Sequence, residues 1–335
     1  MKNLLTAGVI GLGVGEHHIS GLLQHGSCSE IRIWDLDQEK IEEMCRRYPS
    51  VIPCDREEQI IGNTSIDLVS ICSYDDVHYR QVLSAISAGQ HVFVEKPLCL
   101  YRPQLKQIQS ALTNKPEVKL SSNLVLRTNP RFKEMKKRLT VGEYGDIYYI
   151  EADYYWGRDH KLIGWRAEIE YYSIILGAAV HMIDLVIWLT GELPVDVQVM
   201  GNNISTRHSR QKFDCFVVLM LRFPSGLIAK ISGNGGCVHP HFHGLKIFGT
   251  NSTAVHELNS AYSIGRLGNE YPIKEIKGSY PAKESRSNVI KSFVDYILDT
   301  SSEPVVSEKS LFDVMSICFS AEDALQSGQT EKIIY

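Results

Sequence analysis

A short apolar run that breaks on a cluster of glycines and restarts as a helix constrains this chain more than any other feature. Leu5 to Ile10 reads as a strand and runs into Gly11-Leu12-Gly13-Val14-Gly15. Glycines at a strand-to-helix junction let the backbone approach a pyrophosphate, and the helix N-terminus adds N–H groups and a partial positive charge. The Gly-x-Gly-x-x-Gly spacing is incomplete, because its third position falls on Glu16. Either Gly15 makes the turn one residue shorter, or Glu16 swings away from the phosphates. A second strand-like run, Ile31 to Trp34, ends on Asp35. A carboxylate there accepts hydrogen bonds from the adenine ribose hydroxyls and repels a 2′-phosphate. The expected cofactor is therefore NAD, with NADP disfavoured.

The first 120 residues continue this alternation. Ile66 to Cys72 and His91 to Val94 read as further strands, with helically spaced Val82, Leu83 and Ile86 between them and Gly89 as a stop. Such alternation predicts a parallel, doubly wound sheet covered on both faces. Beyond about residue 123 the strands become longer and alternate in polarity: Ile147 to Tyr154, Val195 to Met200, Phe216 to Phe223 and Leu227 to Ser232. They predict a large, mostly antiparallel open sheet with helices on one face, including helices near Phe132 to Leu139 and Ala179 to Leu189. Two amphipathic helices, near 289–298 and 311–325, close the chain. A length of 335 residues suits two cores rather than one. We expect a Rossmann domain over 1–122 and an α+β domain for substrate binding and oligomerisation over 123–335, the last helices being free to pack back on the first domain.

A net charge of −4 argues against a nucleic-acid partner. Met1-Lys2 leads straight into a strand-like segment, and no apolar stretch reaches the roughly 18 residues of a membrane span, so a cytoplasmic protein without a membrane partner is expected. The eight cysteines form no CxxC pair and have mostly apolar neighbours, which predicts reduced, buried thiols.

Ile71-Cys72-Ser73-Tyr74-Asp75-Asp76-Val77-His78, followed by Ala88-Gly89-Gln90-His91-Val92-Phe93-Val94-Glu95-Lys96-Pro97, resembles the glucose–fructose oxidoreductase / inositol dehydrogenase / MocA (Gfo/Idh/MocA) family. Asn123, Arg127-Thr128-Asn129-Pro130, Gly145-Asp146-Ile147 and His181-Met182-Ile183-Asp184 extend the resemblance over nearly the whole chain. The resemblance implies that Lys96 lies between nicotinamide and substrate, that Pro97 follows a cis peptide, and that Glu95 positions cofactor or lysine. It also implies that Ser73 and His78 lie on the nicotinamide side, and that His181 points into the substrate site. A lysine in a partly desolvated cleft can hydrogen-bond a substrate hydroxyl and help move its proton. The family commonly carries an acidic residue four positions before this histidine; here that position is Gly177, so Tyr171, Tyr172 or a nearby histidine would have to replace it.

His181 and Asp184 share one face of a predicted helix. In a strand, Cys237, His239, His241 and His243 would also share a face, forming a polar wall for a sugar; a metal site is the lesser reading, and no metal is expected. Tyr154, Tyr155, Trp156, Trp165 and Arg166 form an aromatic and basic stretch suited to sugar stacking or to sheet packing.

The combined expectation is an NAD-dependent dehydrogenase acting on a secondary alcohol of a sugar, sugar derivative or nucleotide sugar. Lys96 and His181 are the catalytic candidates. Gly11, Gly13, Gly15, Asp35, Ser73, His78, Glu95, Lys96 and Pro97 are the candidates for the cofactor, and Lys96, Arg127, Trp165, Arg166, His181, Asp184, His239 and His241 those for the substrate. A homodimer or homotetramer is expected, because the broad second sheet leaves a face to cover. An NAD-dependent glycoside hydrolase and a silent cofactor-binding regulator are the alternatives.

Overall fold

The run Leu5–Ile10 forms β1, and Ala7, Val9 and Ile10 within it are sealed from solvent. A strand covered on both faces needs apolar residues at every position, which explains the missing alternation. The computed structural model describes residues 4–299 and 301–335. The chain divides into two compact units, Met1–Val125 with Glu284–Phe312, and Leu126–Lys283 with Asp313–Tyr335.

In the first unit β1 is joined by β2 (Cys28–Trp34), β3 (Val51–Pro53), β4 (Leu68–Ile71), β5 (His91–Val94) and β6 (Leu120–Ser122). The order is β3-β2-β1-β4-β5-β6, and every neighbouring pair is parallel. Helices α1 (Gly15–His25), α2 (Gln38–Arg47), α3 (His78–Ser87) and α4 (Arg102–Thr113) make four of the five connections, and a loop with a short 3-10 turn at Glu57–Gln59 joins β3 to β4. The winding reverses between β1 and β4, so their carboxyl ends flank a crevice at Gly11 and Cys72, the usual ligand position in such sheets. The strand expected from Ile66 to Cys72 is shorter: Asp67 lies before it, and its carboxylate takes the Thr6 amide at 2.7 Å. The helix α7 (Ser287–Leu298) also belongs to this unit and sets Phe293 against Phe93 at 5.8 Å.

The second unit is built on nine strands: β7 (Ile147–Tyr155), β8 (Asp196–Asn202), β9 (Phe216–Arg222), β10 (Ile228–Asn234), β11 (Phe242–Gly249), β12 (Ser252–His256), β13 (Ala261–Gly265), β14 (Ile273–Glu275) and β15 (Glu331–Lys332). Their order is β14-β13-β12-β11-β7-β10-β9-β8-β15, and only β7 and β10 run parallel. Ile150, Ala152, Leu219, Ile231 and Ile247 are fully buried on the inner face. The other face carries Tyr149 stacked on Phe248 and the ion pairs Lys246–Glu151 (3.6 Å) and Lys230–Asp153 (2.6 Å). Helices α5 (Pro130–Thr140), α6 (Val180–Thr190) and most of α8 (Glu308–Ser327) belong to this unit. α6 is buried continuously from Val180 to Ile187, because apolar residues surround it on all sides.

All eight cysteines are free, but only Cys54, Cys99, Cys215 and Cys318 are buried; Cys28, Cys45, Cys72 and Cys237 are half-buried. Cys28 and Cys72 lie at strand ends, Cys237 in a loop and Cys45 on the flank of α2 beside the buried Met44, so sequence neighbours do not bury these thiols. Among the described residues no helix is long and apolar enough to cross a membrane.

Candidate active site

The glycine turn is shaped by contacts that a side chain would break. Gly11 has φ +83°, in the left-handed region, and a Cβ on it would lie 2.3 Å from the Cys72 carbonyl oxygen. A Cβ on Gly13 would meet nothing within 4 Å, so its open side faces space. A Cβ on Gly15 would lie 2.9 Å from Val9 Cγ1, so Gly15 permits the close approach of α1 to β1 that the third glycine normally serves. The turn is therefore one residue shorter, and Glu16 points to Arg47 and Tyr48. Asp35 closes this corner: the Leu12 amide donates to Oδ2 at 2.6 Å and the Asp37 amide to Oδ1 at 2.9 Å. Each carboxylate oxygen has a second lone pair for a ribose hydroxyl. The open glycine edge and the fixed carboxylate fit a dinucleotide, with pyrophosphate at Gly13 and ribose at Asp35.

At the end of β5 the Lys96–Pro97 peptide is cis. His78 lies beneath it without solvent exposure, with Nδ1 2.7 Å from the Pro97 carbonyl oxygen and Nε2 3.1 Å from that of Ser73. Ser73 donates its hydroxyl to Gln81. His78 thus ties together the loops after β4 and β5, and its burial keeps it from touching a cofactor directly.

Sequence reading missed the group behind Glu95. His18, from α1, holds Nε2 3.3 Å from Glu95 Oε1, and Asn123 donates to the same oxygen at 2.6 Å. On the other side of the ring, Nδ1 lies 2.7 Å from Ser70 Oγ and 3.1 Å from Cys72 Sγ. Burial disfavours charge on His18, but the charge and hydrogen bond of Cys72, and then those of Glu95, outweigh it and raise its pKa to about 10. Burial likewise opposes ionisation of Glu95, yet His18, with help from Lys96 and Asn123, holds its pKa at about 2. The signal was available, since His18 stands one turn into the helix that leaves the glycine turn.

In the second unit His181 lies in the first turn of α6, with its ring edge-on to Tyr154 (5.7 Å) and His243 (6.1 Å). A π-helical turn, Ile175–Ala179, precedes α6 and contains Gly177. A Cβ on Gly177 would lie 2.3 Å from the Tyr172 hydroxyl, so this phenol fills the space a side chain there would use. The neighbouring Tyr171 donates to Glu322 at 2.8 Å, and Ser173 donates to the same carboxylate. Burial raises the Glu322 pKa against those hydrogen bonds.

Arg127 and Asp184, expected to meet substrate, are engaged with each other: Arg127 Nη2 lies 2.5 Å from Asp184 Oδ1, and Asp184 is only 1% exposed. Burial removes this carboxylate from any surface a ligand can reach. Arg166 lies over the rings of Trp165 (4.1 Å) and Trp156 (5.2 Å), half-buried beside them.

The expected histidine row is not a strand face. Residues 237–241 form a loop, and β11 starts only at Phe242, because Gly235 and Gly236 break the chain and Pro240 has no N–H for a ladder. His239 packs on Tyr155 (4.6 Å), whereas His241 (5.3 Å) and His243 (4.5 Å) pack on Tyr154. Consecutive tyrosines of β7 point to opposite faces, so His239 parts from the other two. Cys237 Sγ lies 3.4 Å from the Asn234 carbonyl oxygen. Among the described residues no group of three or more His, Cys, Asp and Glu side chains is arranged to hold a metal.

Two family models match the chain. One, described as an oxidoreductase family with an NAD-binding Rossmann fold, matches residues 5–123; the other, the GFO/IDH/MocA C-terminal domain, matches residues 132–255. The chain belongs to the Gfo/Idh/MocA oxidoreductase family. The Gfo/Idh/MocA N-terminal domain is NAD-binding, in agreement with the glycine turn and Asp35. An uncharacterized oxidoreductase of Synechocystis sp. is 29% identical over 192 residues, 56% of this chain and about half (52%) of that protein's own length. A myo-inositol 2-dehydrogenase of Thermotoga maritima is 24% identical over 73% of both chains. A levoglucosan dehydrogenase, solved with NADH and levoglucosan, superposes with a TM-score of 0.84 at 18% identity, covering 99% of this chain and 100% of that one. That likeness shows the shared fold.

Proposed function

We propose that this member of the family is an NAD-dependent dehydrogenase that oxidises a secondary alcohol of a sugar, sugar derivative or nucleotide sugar, or catalyses the reverse reduction. The observation that carries the reading is the pairing, in one unit, of a dinucleotide cradle at Gly11, Gly13 and Asp35 with Lys96 at the next strand end but one. Relatives named for inositol and levoglucosan support a ring polyol or sugar as the substrate class.

NAD, when bound, supplies the hydride acceptor. Asp35 orients the ribose and disfavours a 2′-phosphate; Lys40, whose Nζ is 3.9 Å from Asp35 Oδ1, partly offsets that repulsion. Lys96 holds the substrate hydroxyl and takes its proton as the carbonyl forms. His181 orients a hydroxyl or relays the proton, and Tyr172, itself buried, fills the space beside Gly177 where a side chain would otherwise lie. Tyr154, His241 and His243 offer ring faces and imidazole edges that suit hydroxyl-rich rings. Trp165 and Arg166 extend the same wall. The half-buried outer sheet face with Tyr149 and Phe248 suits a homodimer or homotetramer, and a cytoplasmic location accords with free thiols.

The test is a screen of inositols, aldoses, anhydrosugars and nucleotide sugars with NAD and NADP, following nicotinamide absorbance. Net NADH formation on one ring alcohol supports the reading. Hydrolysis of a glycoside without net NADH, or cofactor binding without turnover on any ring alcohol, would count against it.

A further inference from the structure

The Glu-Lys-Pro segment puts a carboxylate next to the residue assigned to proton transfer, and that arrangement is electrostatically unfavourable by itself. A largely covered, uncompensated Glu95 would stabilise the Lys96 ammonium and make its proton harder to release. The fold supplies a counter-charge. His18 projects from α1, with one ring nitrogen on Glu95 (3.3 Å) and the other facing Ser70 Oγ (2.7 Å) and Cys72 Sγ (3.1 Å). Asn123 Nδ2 lies 3.0 Å from the same Nε2 and donates to Glu95 Oε1 at 2.6 Å. The Ser70 hydroxyl and Cys72 thiol can each donate or accept, so they accommodate an imidazolium at Nδ1, and the carboxylate 3.3 Å from Nε2 is the group that favours its charge. The surroundings leave little of this pair to solvent, 3% of the His18 side chain and 12% of that of Glu95. Phe93 lies edge-on to the His18 ring at 5.1 Å, and Phe293 of α7 backs Phe93. The polar and charged groups facing the pair are Ser70 and Cys72 from the β4 end, Asn123 after β6, and Lys96 itself.

We infer that His18 is a positioning residue for the proton chemistry of Lys96: as an imidazolium it neutralises Glu95, so that Lys96 borders a hydrogen-bonded ion pair instead of a bare carboxylate. The inference rests on Lys96 being the proton-handling group of the proposed dehydrogenase. His18 touches neither substrate nor reacting atoms in this account and acts only through Glu95.

The test measures Lys96 directly and needs no substrate. The full-length protein is dimethylated at its lysines with ¹³C-formaldehyde, the Lys96 signal is identified by its loss in Lys96→Met, and its chemical shift is titrated against pH. In His18→Gln the Lys96 midpoint should rise by about one pH unit or more, because the carboxylate loses its counter-charge. In Glu95→Gln it should fall, and in the double variant it should return toward the wild-type value. A merely structural role for His18 changes the melting temperature but produces no such opposed pair of shifts. If His18→Gln fails to fold alone, the double variant compared with Glu95→Gln decides the matter: a charged His18 makes the Lys96 midpoint rise between the two, and a neutral one leaves it unchanged. Lys96 midpoints unmoved in the folded single variants would overturn the inference. Failure of the dehydrogenase reading shows up separately, as retained turnover in Lys96→Met.

Discussion

The Leu12 amide donates to the Asp35 carboxylate across 2.6 Å, so the residue between the first two glycines is held by the group that ends the second strand. The carboxylate assigned to the ribose thus also fixes the turn assigned to the pyrophosphate, so two neighbouring parts of the cofactor depend on one side chain.

Asp35→Ser should therefore have two effects. Affinity for NADP relative to NAD should rise by roughly tenfold, about 1.4 kcal/mol, as repulsion of the 2′-phosphate is relieved. Affinity for NAD should fall because the Leu12 and Asp37 amides lose their acceptor. Calorimetric titration with both cofactors measures this; an unchanged NAD-to-NADP ratio would remove Asp35 from cofactor selection.

The His18–Glu95 pair should shape stability on both sides of neutrality. Glu95 is shifted down to about 2 from an ordinary 4.5, so its contribution is present above 4.5 and is lost as pH falls through 2. His18 is shifted up to about 10 from 6.5, so its contribution is complete below 6.5 and fades as pH rises through 10. Melting temperatures taken from pH 3 to pH 10 should decline toward both extremes, and His18→Gln should flatten the alkaline decline. Parallel alkaline slopes in the two proteins would show that His18 is not charged in the folded state.

Gly177→Ala should destabilise the fold by about 1–3 kcal/mol, since its Cβ would meet the Tyr172 hydroxyl at 2.3 Å. Tyr172→Phe in that background should restore only part of the loss, because the ring carbon Cζ would still lie 2.9 Å from the new Cβ. Chemical denaturation measures both. Wild-type stability in Gly177→Ala would mean that Tyr172 moves freely, and its place beside Gly177 would lose support.

The sheet of the first unit was legible because buried parallel strands are written as unbroken apolar runs, as in β1 and β5. The glycine turn and Asp35 were legible because backbone approach and ribose binding each demand one residue type. What the sequence concealed was the pairing of residues far apart in the chain. Arg127 and Asp184 carry separate charges on paper, yet close on each other within the second unit. His18 and Glu95 are far apart in sequence and meet because the first turn of α1 sets His18 against Ser70 of β4 and Phe93 of β5. The Cys237–His243 row misled because alternation of residue type was read as a strand, whereas Gly235, Gly236 and Pro240 set the backbone there.

Lys96→Met tests the central claim most directly. It keeps much of the apolar stem and removes the ammonium, while Gly11, Gly13 and Asp35 still form the cradle. A positioned general acid–base typically contributes roughly 10²–10⁴-fold to rate. Turnover on the ring alcohol found by the screen should fall by about that factor, with the NAD dissociation constant and melting temperature little changed. Turnover near the wild-type value in a folded, NAD-binding Lys96→Met protein would contradict the account and leave the Glu-Lys-Pro segment as architecture alone.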